Sequence, residues 1–477
     1  MTDLPAGWSE APLADLIDVD GVFVDGDWVE SKDQDPDGDV RLVQLADVGE
    51  GNFRDRSNRR LTQEKAGILR CSELRVGDIL IARMPDPLGR ACMYPGGPTS
   101  AVTVVDVCIV RVNHVDSRWL MWAINSPEVR RQIASYQSGT TRKRISRGNL
   151  AKVILRVPPL AEQRRIVAAL EENLAGLDRG LAGLVLAAGR VRELDQRLRG
   201  RVVGGWPLSS ISEEYNLPDG WSIANLGSLS YESGYGTSTK CAYDAAGVPV
   251  LRIPNVQNGE ISLADMKYAV DGSQNLDSYF VTPGDLLFVR TNGSPQLIGR
   301  VAVVREAMKV AFASYLIRFR LKPGTVDPDW VALVVSSPAW RQHLETAAAS
   351  SAGQYNLNSK TLASLPVPLP SLEEQRALLS EMSTARTLIE SLTSELATAK
   401  RRAGALRASL LAEAFAGRLV PQDLSDEPAS ELLARIRAER QAALPKQKAR
   451  SSRTRKELAA PPTRVTGDDY RQETLPL

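Results

Sequence analysis

Arg142, Lys143, Arg144 and Arg147 form a compact basic run beside the small-residue loop Ser138-Gly139-Thr140-Thr141. Cations on such a loop suit phosphate oxygens and would give steeply salt-dependent binding, with a solvated loop as the plainer alternative. Arg83 and Arg290 each follow an apolar run, Ile79-Leu80-Ile81-Ala82 and Leu286-Leu287-Phe288-Val289. An arginine there can grip guanine through two parallel hydrogen bonds, or can form an ion pair inside its own domain. Asn292 follows Arg290, and Gln354, Tyr355, Asn356, Asn358 and Lys360 occupy a polar stretch in the second half. These side chains can bond base edges or phosphates, and turn formation is their other use.

Covalent chemistry is poorly provided for. The two histidines, His114 and His343, stand apart from cysteine and from paired carboxylates, so neither a histidine triad nor a metal cluster is expected. No Gly-x-x-x-x-Gly-Lys-Ser/Thr phosphate loop occurs; Gly234-Tyr235-Gly236-Thr237-Ser238-Thr239-Lys240 resembles one only superficially. An Asn-Pro-Pro-aromatic run of the adenine-methylating type is also missing. Pro218-Asp219 and Asp265-Met266-Lys267 could be read as a nuclease pattern, but such pairs arise by chance in a chain of 477 residues. The chain is expected not to be an enzyme.

The elements that position these residues are organised around Pro158–Val202 and its near copy from Pro368. In the first, Val167, Leu170, Leu174, Leu177, Leu181, Leu184, Ala188, Val191, Leu198 and Val202 alternate three and four residues apart. In the second, Leu378, Met382, Ala385, Ile389, Leu392, Leu396, Ala399, Ala403, Leu406 and Leu410 do the same. Both are heptad seams and predict long helices, each roughly 60 Å at ~1.5 Å per residue. A stripe this narrow needs a partner. Pairing of the two helices within the chain buries both seams at once; packing on the neighbouring domain, or on a second chain, would also do so.

What lies between the helices is duplicated. Leu4-Pro5-Ala6-Gly7-Trp8-Ser9 is answered by Leu217-Pro218-Asp219-Gly220-Trp221-Ser222. Gln44-Leu45-Ala46-Asp47-Val48 is answered by Arg252-Ile253-Pro254-Asn255-Val256. Val76-Gly77-Asp78 and Pro283-Gly284-Asp285 read as turns, each opening the apolar strand that delivers Arg83 or Arg290. Val102–Val112 and Ala311–Leu321 read as strands, followed by a short helix in each half with an internal Ser-Pro, at Ser126-Pro127 and Ser337-Pro338. The plan is domain, rod, domain, rod. A unit this large is a duplicated domain rather than a solenoid repeat.

The order of these motifs, with PPLAEQRRI (Pro158–Ile166) and PLPSLEEQRALL (Pro368–Leu379) opening the rods and Ala414-Phe415-Ala416-Gly417-Arg418-Leu419-Val420-Pro421-Gln422 closing the second, closely resembles the specificity subunit of type I restriction-modification systems. The resemblance covers the chain up to residue 444. It implies an α+β chain with two tandem mixed α/β target-recognition domains separated by two long helices that pair as an antiparallel coiled coil. The boundaries expected are 1–157 and 204–367 for the domains, 158–203 and 368–416 for the helices, 417–444 for a C-terminal helical segment and 445–477 for a basic tail expected to be disordered. It also implies that each domain reads one half of a bipartite site on double-stranded DNA, that two methyltransferase subunits dock on the helices, and that restriction/translocase subunits join them. S-adenosylmethionine, ATP and magnesium would then belong to the partners, with no cofactor on this chain. The resemblance further points to Thr237, Ser238, Thr239 and Lys240 as recognition residues. The matching stretch of the first domain, Asp25–Asp39, departs from this, being strongly acidic and a poor DNA surface.

Divergence between the two halves outside the framework motifs implies an asymmetric site. A net charge of +2 selects no partner by itself. Cys71, Cys92, Cys108 and Cys241 lack metal or disulfide spacing and read as reduced thiols, and no long apolar run is present, so a cytoplasmic protein off the membrane is expected. Two other readings stay open: the specificity chain of a methylation-only system, and a stand-alone coiled-coil DNA-binding or structural protein. The final helix is expected across Pro428–Leu444, with Ser430 as cap and Leu433, Ile436 and Arg437 on its packing face.

Overall fold

The computed structural model describes residues 4–85, 87–139, 143–204, 217–257, 259–271, 275–351 and 354–443. Arg142 and the basic tail lie outside the described residues. The chain forms two compact units, one joining the residues up to Asn173 with the described residues from Arg407 onward, the other spanning Leu174–Leu406.

In the first unit an antiparallel sheet has the order Val22–Asp25, Val107–Arg111, Ile79–Ala82, Ala91–Met93. The central strand Ile79–Ala82 is buried at every position, as its unbroken apolar run requires. A second sheet sets Val40–Val43 parallel to Ala101–Thr103 and antiparallel to Arg60–Leu61. Ser9–Pro12 pairs with Ile154–Val157 just before the first rod helix begins.

The second unit repeats this order with other side chains. Ser230–Tyr235, Leu316–Leu321, Leu286–Val289 and Val301–Val303 follow one another, and Gly259–Ile261 and Val256–Gln257 extend the edge. Pro249–Leu251 runs parallel to Ala311–Phe312, and Ser222–Asn225 pairs with Pro366–Leu369. A small third sheet holds Thr291–Asn292, Gln354–Asn356 and Ala349–Ser351 in that order. The architecture is α+β: two mixed α/β domains linked by two long helices.

The Gly-Asp turns explain themselves. Gly77 and Gly284 both sit at φ +90°, where a side chain would be strained, and the aspartate after each is buried. Asp78 accepts the Arg75 amide and a two-pronged contact from Arg111 at 2.6 and 2.7 Å. Asp285 accepts the Thr282 amide and the Arg320 guanidinium.

Two expectations change. Val102–Val112 and Ala311–Leu321 are each two strands in different sheets, because the chain turns between them through Val107 N to Val104 O and Leu316 N to Ala313 O. The single helix expected around each Ser-Pro is a pair, Ser117–Asn125 with Pro127–Ser135 and Pro328–Ser336 with Pro338–Ala347. A residue preceding proline is pushed to extended backbone and proline is well placed at a first helical position, so one helix stops and another starts at the same bond.

The rod helices are Leu160–Val202 and Leu372–Phe415. Leu170 and Leu174 are fully buried, while Leu177, Leu181, Leu184, Ile389, Leu392 and Leu396 are half-buried, as suits a two-stranded seam with no third layer. Leu198 and Val202 near the end of the first helix share a cluster with Leu378 and Met382 near the start of the second, so the pairing is antiparallel. Leu406 departs from the expected seam, being 51% exposed. The inward position has passed to Arg407 and Leu411, since a helix of 3.6 residues per turn drifts off a strict seven-residue repeat.

The repeated Gly-Trp and Glu-Gln motifs turn out to be halves of one clasp. Trp8 Nε1 donates to Glu162 at 3.0 Å, and Trp221 Nε1 donates to Glu374 at 3.0 Å. Gln163 accepts the Asp116 amide and donates to Pro158 O; Gln375 accepts the Asp327 amide and donates to Pro370 O. Each rod therefore starts fixed to the domain before it. Burial raises the Glu162 carboxyl above its usual range against the opposing pull of the Trp8 hydrogen bond. Each rod ends on a left-handed glycine near the proline of a Leu-Pro-x-Gly-Trp motif, Gly417 beside Pro5 and Gly204 beside Pro218.

The last helix, Ala429–Ala443, buries Leu432, Leu433 and Ile436 and returns to the first domain. The Ala429 amide donates to Gly7 O, Arg440 donates to Ala14 O, and His114 lies 2.7 Å from Glu439.

Candidate nucleic-acid interface

In the second domain Leu286–Val289 brings Arg290 to its far end. The guanidinium carbon lies 4.7 Å from the centre of the Tyr235 ring, a cation–π stack. Nη1 has one long contact, 3.5 Å to Ser314 O, and Nε is buried with no hydrogen-bond partner. The Arg290 carbonyl accepts the Leu357 amide at 2.9 Å, which pins the polar stretch after Gln354 to this strand end. Asn292 stands opposite Tyr355, and Thr291 opposite Asn356. The Tyr235 hydroxyl lies 3.5 Å from Ser359 Oγ and accepts the Ser359 amide at 3.2 Å; these contacts hold its phenol below the usual range. Lys360 is exposed on the short helix Ser359–Ala363, which Asn358 caps by accepting the Thr361 amide. Folding thus gathers Arg290, Asn292, Tyr355, Asn356 and Lys360, with Gln354 on the same strand as Tyr355.

The matching edge of the first domain is differently made. Ile145 N donates to Arg83 O at 3.0 Å, the counterpart of the Leu357 bond. Arg83 itself is spent: Nε donates to Ile145 O at 3.0 Å, Nη1 to Val105 O at 3.1 Å, and Asp25 Oδ1 lies 2.8 Å away. The loop is closed by Ser138 and Arg144 exchanging backbone hydrogen bonds, which leaves Lys143, Arg144 and Arg147 exposed. Arg147 makes one long contact, 3.4 Å to Phe23 O.

Part of the acidic stretch of this domain is tied down by local bonding. Asp25 faces Arg83, Asp27 accepts the Ser72 amide, Asp33 lies 3.3 Å from Lys65, and Asp39 accepts the Gln63 amide. Its counterpart loop in the second domain is split by burial. Thr237 is 4% exposed and its hydroxyl is 2.6 Å from that of Thr239, so it serves the turn, while Ser238 and Lys240 face outward.

Tyr235 and Ser359 are functional candidates that sequence reasoning did not single out. Their signal was faint: an aromatic residue closing a strand, and a serine behind a helix cap.

A family model described as the type I restriction modification DNA specificity domain matches residues 218–401. The specificity subunit of the type I restriction enzyme EcoKI from Escherichia coli K12 is 27% identical over 66% of this chain and 69% of that protein. The StySPI specificity subunit from Salmonella potsdam is 25% identical over 65% and 69%, and the EcoBI specificity subunit from Escherichia coli is 26% identical over 64% and 68%. Residues 218–401 thus match a type I DNA specificity domain, and the chain as a whole is similar to specificity subunits of type I restriction enzymes. A solved structure described as showing complex assembly and conformational transition of the type I R-M system has the same fold, with TM-score 0.67, 18% identity and coverage of 88% of this chain and 100% of that one.

The matched domain is described as one of DNA specificity. Among the chain's described residues no helix is long and apolar enough to cross a membrane. The edges at Arg290 and Arg144 are the candidate reading surfaces.

Proposed function

We propose that this specificity subunit reads a two-part, asymmetric site on double-stranded DNA, with one domain (1–157 and 204–367) on each half. The observation that carries this reading is the contrast between equivalent edges. Each hangs from the same strand end and the same backbone bond, yet one presents Lys143, Arg144 and Arg147 and the other Arg290, Asn292, Tyr355, Asn356 and Lys360. Two readers built on one frame with different chemistry suit two different half-sites.

The paired helices act in this reading as the spacer that sets half-site separation and as the dock for two methyltransferase subunits, with restriction/translocase subunits joining the assembly. Adenine methylation with S-adenosylmethionine, and ATP- and magnesium-dependent cleavage, are the partners' chemistry. The protein would act in the cytoplasm, where that DNA is found. Mapping N6-methyladenine by single-molecule sequencing in cells with and without this gene tests the reading. Loss of one asymmetric two-part motif on deletion is the expected result. Unchanged methylation, with the methyltransferase subunits expressed, would overturn it.

A further inference from the structure

The two equivalent arginines have opposite fates, and the difference identifies a base reader. Arg83 has a carboxylate at 2.8 Å and two backbone carbonyls within 3.1 Å, so its Nε and Nη1 are engaged inside the domain. Arg290 has no carboxylate within ion-pair distance among the described residues, and its one protein acceptor is at the limit of a hydrogen bond.

The surroundings fix the guanidinium instead of quenching it. Tyr235 stacks on it and is itself tied to Ser359 through both the hydroxyl and the amide of that residue. A ring cannot accept in the guanidinium plane, so stacking orients the fork while leaving its in-plane donors available. A planar, pre-oriented pair of donors matches the O6 and N7 acceptors on the major-groove edge of guanine. Asn292 and Tyr355 flank the position on paired strands.

We propose that Arg290 is a specificity-determining residue that reads a guanine in the half-site assigned to the second domain, with Tyr235 as its positioning residue. This rests on the two-reader proposal above. Arg83 is an internal lock, so the first half-site is read without its counterpart.

The test is methylation mapping in cells whose only copy of this chain is wild type, Arg290→Lys, Arg290→Ala or Tyr235→Leu, together with the melting temperature of each purified complex with its methyltransferase subunits. Wild type is expected to give a two-part motif with an invariant guanine in one half. Arg290→Lys keeps the charge but loses the fork; it should make that one position degenerate, losing on the order of 10- to 100-fold discrimination, with the other half unchanged. Tyr235→Leu should relax the same position more weakly. A wild-type motif from Arg290→Lys would overturn the inference. So would a uniform loss of methylation with all positions still specified, which marks a phosphate contact. If Arg290→Ala abolishes methylation, Arg290→Lys decides, and loss in both variants, with or without a lowered melting temperature, also overturns it. If wild type itself gives no two-part motif, it is the two-reader proposal that fails.

Discussion

Asp78 shows how much of this fold rests on single buried carboxylates. It is wholly buried, and Arg111 is 19% exposed, so removing the carboxylate strands a mostly buried cation. Asp78→Ala should lower the stability of the first unit by about 3–5 kcal/mol. Hydrogen exchange is the measurement of choice, with faster exchange at the amides of Ile79–Ala82 and little change in Leu286–Val289. The thiols give a second residue-scale expectation. Burial pushes Cys92 up to about 12 and raises Cys108 as well. A thiol whose folded pKa lies above its unfolded value of about 8.5 favours folding while neutral. That contribution is complete below the unfolded value and is lost as pH rises beyond it, at about 1.4 kcal/mol per pH unit for each thiol. Urea denaturation should therefore show stability falling between about pH 8.5 and about pH 11, and replacing Cys92 and Cys108 together by alanine should flatten that slope.

At the scale of elements, the rods are uneven along their length. Leu174 is 3% exposed and Leu406 is 51% exposed, although both fall on the heptad pattern. Leu174→Ala should cost about 2–5 kcal/mol by opening a cavity, whereas Leu406→Ala should stay within about 0.5 kcal/mol. Thermal melts of the two variants side by side check this, and equal effects would mean that the seam runs through Leu406 after all. The clasps are the more economical device. A glutamate and glutamine in the first turn of each rod satisfy an indole N–H, a helix-capping amide and a proline carbonyl together. The sequence showed both motifs as repeats but not that they bind each other, because they lie at opposite ends of a domain and meet only when its terminal strands pair.

For the whole molecule, 59 basic and 57 acidic residues nearly cancel, so attraction to DNA must come from local fields. The exposed Lys143, Arg144 and Arg147 are the proposed source of such a field on the first domain. Replacing all three by alanine should weaken DNA binding by the assembled complex at every sequence. The slope of log K against log salt should become shallower by about 0.9 for each phosphate that the variant no longer neutralises. Binding titrations at several salt concentrations would show it, and an unchanged slope would remove these residues from the DNA surface.

The duplication, the two rods, their lengths and the turn before each buried strand were legible in the sequence. Heptads, strand runs and Gly-Asp turns act over a few residues, so their signals are local. Which candidate side chains stand free was not legible. Arg83 and Arg290 follow near-identical motifs, and only tertiary structure sets Asp25 against one and Tyr235 against the other. Thr237 and Ser238 are neighbours, yet burial assigns one to the turn and the other to the surface. The sequence by itself determined that there are two like domains on two long helices. Tertiary structure decided which arginine retains its donors, because an arginine's availability depends on the acceptors that folding brings to it from distant parts of the chain.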